Sequence, residues 1–157
     1  MATPTIVNFP KGPKIRVTLD FGDFQFKKAS LTFSSCFECC IEGHAQKKDK
    51  DRLLAFLENY GKGNPCSIEL NLEHLSLFRK KALSCLQKVP FGEVLTYGEL
   101  ADKIGHPKAA RAIGTACHYN PYPLFIPCHR VIACGKRLGG FATGLRMKKL
   151  LLDFEKG

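Results

Sequence analysis

Between Ile15 and Phe21 apolar and polar residues alternate: Ile15, Val17, Leu19 and Phe21 are separated by Arg16, Thr18 and Asp20. A period of two marks a strand with one buried face. Gly22-Asp23 offers a turn. Phe24 and Phe26, then Ala29, Leu31 and Phe33, resume the alternation with a slip between them, which predicts a hairpin or small meander. Residues 1–14 read as a loose arm. Leu53, Leu54, Phe56, Leu57 and Tyr60 have helical spacing, ended by Gly61 and Gly63. Cys66 to Leu70 is a short strand candidate. Residues 1–71 are therefore expected to form a small α/β or α+β unit.

Residues 72–157 have a different rhythm. Leu75, Phe78, Ala82, Cys85, Leu86 and Val89 keep a period of three to four, which predicts an amphipathic helix over Leu72–Val89. Pro90-Phe91-Gly92 stops it. Thr96-Tyr97-Gly98-Glu99 has the form of a capping box, and Leu100, Ala101 and Ile104 give the following short helix its buried face. Gly105 ends that helix, Pro107 suits the first position of the next, and Lys108 to His118 is predicted as a second helix. Two short helices across a glycine-containing turn form a helix-turn-helix. The second is covered by Ala109, Ala110, Ala112, Gly114 and Ala116, with one arginine, Arg111. Small side chains allow close approach to a partner surface, and equally tight helix–helix packing. Leu124 to Ile126 is strand-like, the stretch Gly139 to Gly144 is glycine-rich, and Leu145 to Phe154 is a closing helix with Leu145, Leu151, Leu152 and Phe154 inward. The expected architecture is a small α/β domain followed by a mainly helical one.

Charge favours the DNA-facing reading. The chain of 157 residues carries 24 Lys+Arg against 14 Asp+Glu, a formal charge of +10. Such an excess suits a polyanionic partner. No apolar run reaches the length of about 18 residues that a membrane helix needs, and the first 14 residues do not resemble a secretion signal. An intracellular location is expected. Eight cysteines then read as thiols, ligands or nucleophiles rather than disulfides. Cys36, Cys39 and Cys40, with His44, have zinc-like ligand types. The second half of a zinc motif is missing, although Cys66, His74 or Cys85 could add a ligand from a distance. A cysteine-rich strand is the favoured reading, and no cofactor is expected.

Candidate chemistry centres on Ile126-Pro127-Cys128-His129-Arg130-Val131. A thiol attacks as thiolate, and a histidine can take its proton directly or through one water. By itself the adjacency also suits a buried structural cysteine. Glu155, near the end of the last helix, is disfavoured there by the helix dipole and needs a partner, for which a histidine would serve.

The run VPFGEVLTYGELADKIGHPKAARAIGTACHYNPYPLFIPCHRVI, followed by GGFATGL and LLDFE, resembles the O6-alkylguanine-DNA alkyltransferases. The resemblance covers about Leu75 to Glu155. It implies transfer of an alkyl group from guanine O6, less readily from thymine O4, to the protein's own cysteine, without a cofactor. By resemblance Cys128 is the acceptor, His129 deprotonates it through a water, and Glu155 holds His129. Tyr97 corresponds to the tyrosine that bonds the base and helps rotate the flipped nucleotide, Arg111 to the finger that fills the gap in the duplex, and Asn120 to the residue tying the helix-turn-helix to the active-site strand. Val131 and Ala142 correspond to backbone contacts with guanine, and Pro123 and Phe141 to pocket walls. The resemblance further implies a monomer acting on double-stranded DNA, in the nucleus or cytoplasm according to the kind of cell.

The chain departs from the family pattern in places. It has no tryptophan, where many relatives carry one on the helix holding Leu83. Phe141 and Ala142 stand where some relatives have tyrosine and serine, which bears on substrate range. Some relatives bind structural zinc in the N-terminal domain, but the Cys36, Cys39, Cys40 and His44 spacing does not reproduce that site. A lesion-binding protein without transfer, a Cys-His hydrolase and a plain helix-turn-helix regulator are the alternatives. The first would lack Cys128, the second would need an oxyanion hole, and the third would ignore lesions.

Overall fold

The computed structural model describes residues 3–157, apart from the side chain of Lys136. The chain divides into two compact units, Met1–Ile68 and Glu69–Gly157.

The first unit is built on the predicted hairpin. Strands β2 (Ile15–Gly22) and β3 (Gln25–Phe33) pair antiparallel, and the register slips between Asp20 and Phe21. Asp23 and Phe24 make the turn at φ 51° and 62°, the left-handed pair that matches the twist of a tight hairpin. Phe24 therefore sits in the turn, exposed, rather than on the strand. Strand β4 (Glu38–Glu42) runs parallel to β2, and β1 (Thr5–Asn8) pairs on the other edge of β4, giving the order β1-β4-β2-β3. Strand β1 lies within the stretch read as a loose arm. Three of its four residues are exposed, so it carries too little alternation to be seen. The cysteine-rich segment is β4 itself. No strand forms over Cys66–Leu70, which five residues of weak pattern had suggested. Helix α1 (Lys47–Gly61) buries Leu53, Phe56, Leu57 and Tyr60. Gly61 is obligatory, because a Cβ there would lie 2.1 Å from the Lys11 carbonyl oxygen.

The second unit is mainly helical. Helix α2 (Leu77–Leu86) is shorter than its periodicity suggests, because the Ser76 side chain accepts a hydrogen bond from the Arg79 amide and fixes the start there. Strand β5 (Leu95–Thr96) leads directly into α3 (Tyr97–Lys103). The capping box is formed in both directions, each bond 3.1 Å long. Helix α4 (Ala110–His118) starts two residues later than expected. Gly105 turns at φ 80° and the Ala109 amide bonds to the His106 carbonyl, so Pro107 and Lys108 belong to the turn. Leu100, Ala101 and Ile104 pack with Ile113 and Ala116, all buried, which makes the helix-turn-helix one apolar unit.

Leu124 to Ile126 does not form a strand. Leu124 adopts φ 76°, and a single bridge joins Pro123 and Ile126. A 3-10 turn, Cys128–Arg130, follows, and β6 (Val131–Ile132) pairs parallel with β5. Helix α5 (Leu145–Lys156) buries Met147, Lys148, Leu151, Leu152 and Glu155. Leu145, expected inward, is half exposed, because its position falls outside the stripe set by Met147 and Leu151. Phe154 is only partly buried and stacks edge-on against Phe91. Among the described residues no helix is long and apolar enough to cross a membrane.

Candidate active site

Cys128 sits at the start of the 3-10 turn, buried between Ile126 and Val131. Its amide bonds to the Ile126 carbonyl at 2.7 Å. Asn120, just beyond α4, accepts from the Tyr122 amide at 2.9 Å and donates to the Ile126 carbonyl at 3.0 Å. Its side chain also hydrogen-bonds the Cys128 sulfur. One amide side chain thus ties the end of the helix-turn-helix to the segment that presents the thiol.

His129, fully buried, bonds through Nε2 to the Glu155 carboxylate. The same carboxylate accepts from Arg130 Nε at 2.7 Å and from the Gly92 amide at 3.1 Å. Arg130 reaches on to the Val89 carbonyl at 2.6 Å and lies over the Phe91 ring. Burial pushes the Glu155 carboxyl up, but the hydrogen bonds and charges of His129 and Arg130 outweigh it and hold the group well below its ordinary value. His129 is lowered, because burial penalises the imidazolium more than Glu155 favours it. Its neutral form donates from Nε2 to the carboxylate, which leaves the lone pair on Nδ1. That nitrogen is buried and has no hydrogen-bond partner, so it is the available base.

Burial pushes the Cys128 thiol up to about 11, against the Asn120 hydrogen bond and the Lys148 charge, which lower it. The resting pair is therefore a neutral thiol beside a neutral imidazole. A thiolate forms there only by proton transfer, and the resulting imidazolium would be held by Glu155.

A cavity of about 370 Å³ is lined by Tyr97, Ala110, Arg111, Gly114, Cys117, His118, Gly140, Phe141 and Ala142. Six of these are site residues expected from the sequence: Tyr97, Ala110, Arg111, Gly114, Phe141 and Ala142. The Tyr97 hydroxyl donates to the Gly140 carbonyl at 3.3 Å. Its ring packs so closely that a Cβ on Gly139, itself at φ 73°, would lie 2.8 Å away. Arg111 is exposed on the cavity rim. Cys128 is not among the lining residues, but its charge is felt by two that are, Cys117 and Tyr97.

Other expected residues lie elsewhere. Ala109 is half-buried at the N-cap of α4 and Ala112 is exposed; neither lines the cavity. Pro123 and Val131 are also absent from its walls, and the Val131 carbonyl is occupied by the Lys148 ammonium at 2.5 Å. Sequence reasoning missed Cys117, His118 and Lys148, and it gave no individual role to Gly140 or Arg130, although both lie in stretches it singled out. Cys117 and His118 follow Gly114 by three and four residues, so helical spacing from Arg111 through Gly114 would have found them. Nothing in the pattern marks Arg130 or Lys148, two basic residues among many.

Cys36, Cys39 and Cys40 are not brought together with His44 as one ligand set among the described residues. Cys39 and Cys40 are neighbours on β4, where successive side chains point to opposite faces. Cys36 is exposed and lies against Asn8 and Glu38. Among the described residues no three His, Cys, Asp or Glu are grouped to hold a metal ion.

Residues 77–157 match the family described as "6-O-methylguanine DNA methyltransferase, DNA binding domain". The methylated-DNA–protein-cysteine methyltransferase of Methanosarcina acetivorans is 43% identical over 100 residues, 63% of this chain and 64% of that protein, so the match spans under two thirds of the relative's own length. The probable methylated-DNA–protein-cysteine methyltransferase of Acanthamoeba polyphaga mimivirus is 43% identical over 142 residues, 89% of each chain. Among solved structures, Mycobacterium tuberculosis OGT in complex with DNA superposes with a TM-score of 0.67 at 29% identity, covering 90% of this chain and 92% of that one. With its matched helix-turn-helix, Pro-Cys-His-Arg turn and closing helix, the chain belongs to the O6-methylguanine DNA methyltransferase family.

Proposed function

We propose that the protein repairs double-stranded DNA by moving the alkyl group of O6-alkylguanine, and less readily of O4-alkylthymine, onto Cys128. The observation that carries this reading is the His129–Glu155 pair, which leaves one buried imidazole nitrogen without a partner on the residue that follows the thiol in sequence.

A base stacked in a duplex keeps its reacting atom out of reach, so the nucleotide must leave the stack at a cost of a few kcal/mol. Arg111, exposed on α4, fills the gap. The base enters between α4 and the glycine loop, against Phe141 and Ala142. Ala109, Ala110, Ala112 and Gly114 let the helix lie close to the duplex. The Cys128 proton passes to His129 Nδ1, directly or through one water. The sulfur attacks the alkyl carbon, the S–C bond forms and the C–O6 bond breaks. The base leaves with a proton supplied through the Tyr97 hydroxyl, and its bonding electrons stay on the purine. Asn120 holds the thiol segment throughout. The thioether is stable and no residue is set to cleave it, so each molecule acts once, as a monomer and inside the cell, in the nucleus or cytoplasm.

Incubation with a duplex carrying O6-methylguanine tests this. The Cys128 peptide is expected to gain the mass of one methyl group, the DNA to regain guanine, and product to plateau at one equivalent of protein. Turnover beyond one equivalent, or a methyl group elsewhere, would overturn it.

A further inference from the structure

Lys148 is a buried charge of the site to which the reaction above gives no role. Its side chain is fully buried, and Nζ donates to the Val131 carbonyl at 2.5 Å and the Gly140 carbonyl at 3.1 Å. Val131 lies three residues after Cys128, and Gly140 belongs to the cavity wall. The ammonium also lies 5.6 Å from the centre of the Tyr97 ring, and Tyr97 donates to the same Gly140 carbonyl. One cation therefore binds the glycine loop to the strand that leaves the thiol, beside the tyrosine.

A buried ammonium normally faces an acid, because carbonyl oxygens satisfy its hydrogens without neutralising its charge. The buried carboxylate of this site, Glu155, is occupied by His129, Arg130 and Gly92. The groups facing Lys148 that can become negative are Cys128 and Cys117: charge on either raises the affinity of the lysine for its proton, while burial, the larger effect, lowers it. Cys117 is the poorer candidate. Burial pushes it to about 12, and Asn120 bonds to Cys128 instead. His129, the other titratable group that interacts with Lys148, is committed to Glu155.

We propose that Lys148 is a positioning residue whose ammonium group holds the glycine loop on the active-site strand and serves as counter-ion to the Cys128 sulfur once its proton has gone to His129. The inference rests on Cys128 as the acceptor. It has a corollary for the spent protein: a thioether cannot ionise, so after alkylation no sulfur anion can form for Lys148 to balance.

The test follows carboxamidomethylation of Cys128 by iodoacetamide against pH, read by mass spectrometry of the Cys128 peptide. In Lys148→Gln, which keeps a donor for one carbonyl, the midpoint is expected to move about one pH unit higher, a tenfold slower reaction near neutrality. An unchanged midpoint in a folded variant overturns the proposal. Should the variant not fold, NMR titration of the Lys148 amine in the otherwise native protein replaces it: the amine is expected to lose its proton at lower pH in Cys128→Ala than in wild type, and identical titrations overturn the proposal. Neither readout uses lesion DNA. Failure of wild-type protein to take a methyl group from O6-methylguanine would therefore be seen separately.

Discussion

Two buried thiols, one in each unit, show how differently burial of a cysteine can be offset. Cys39 is fully buried in β4, and burial together with neighbouring Cys40 pushes it up to about 12. Cys128 is almost as buried, yet Asn120 and Lys148 pull it back to about 11, and the residue after it, His129, has an unpartnered ring nitrogen. Burial alone makes a thiol inert; the difference lies in the polar groups directed at it. Of the buried polar and charged residues described, Glu38 belongs to the first unit, while His129, Arg130, Lys148 and Glu155 all belong to the second. The second unit carries the uncomfortable chemistry and the first the ordinary apolar packing.

The comparison breaks most visibly at the thiols themselves. Cys128→Ala should abolish alkyl transfer while leaving DNA binding, whereas Cys39→Ala should transfer normally and lose about 1–2 kcal/mol of stability, seen in the urea midpoint. Repair by a Cys128 variant would refute the nucleophile assignment.

Next in size is Glu155→Gln. It leaves the Arg130 charge buried without its anion, which typically costs about 3–5 kcal/mol, and it removes the group that orients His129, so transfer should slow by about 100-fold or more. Glu38→Gln in the first unit should leave the transfer rate unchanged, since its partner Arg16 is partly exposed.

Methylation of Cys128 adds volume to a buried site, at about 1–3 kcal/mol, and removes the thiol hydrogen. The spent protein should melt several degrees lower and be cut sooner by protease. Identical melting curves would show that the site accepts the methyl group without strain.

Acid should separate the two units. His129 titrates below 6.5 when folded, so the unfolded chain binds more protons and stability falls as pH drops through that value. Glu155, lowered from 4.5 to about 2, adds a second loss across that window. Stability is thus full above about 6.5. At the other limb the raised thiols keep their protons, so stability falls as pH rises above 9.0 towards about 11 for Cys128 and about 12 for Cys39. Denaturation curves across pH should show Glu155→Gln blunting only the acid loss and Cys39→Ala only the alkaline one.

The smallest effect on stability belongs to Arg111→Ala, within about 0.5 kcal/mol because the side chain is exposed. Repair of a lesion in duplex DNA should nevertheless slow by about tenfold, with little change for a free alkylated base; equal losses would place Arg111 in the chemistry.

Much of this was legible in the sequence where one local rule governs. The alternation from Ile15 to Phe21, the capping box at Thr96 and the need of Glu155 for a histidine all came through. Elements fixed by distant partners did not. Strand β1 exists because β4 offers an edge, and the helix at Leu77 begins where Ser76 caps it. Arg130 and Lys148 look like any surface cation along the chain, and only tertiary packing turns them inward. The segment before Cys128 resembles a strand by composition, but Leu124 at positive φ bends it.

The acid of the site sits in the last turn of α5, where helices fray. The last turn of a helix opens more readily than a core melts, and here an opening would take the buried carboxylate from His129 and Arg130 together. Closure of that one helical turn is therefore expected to govern how readily the site reacts. Warming should depress reactivity before it unfolds the protein, and anything that presses that turn shut should speed the chemistry without touching the thiol.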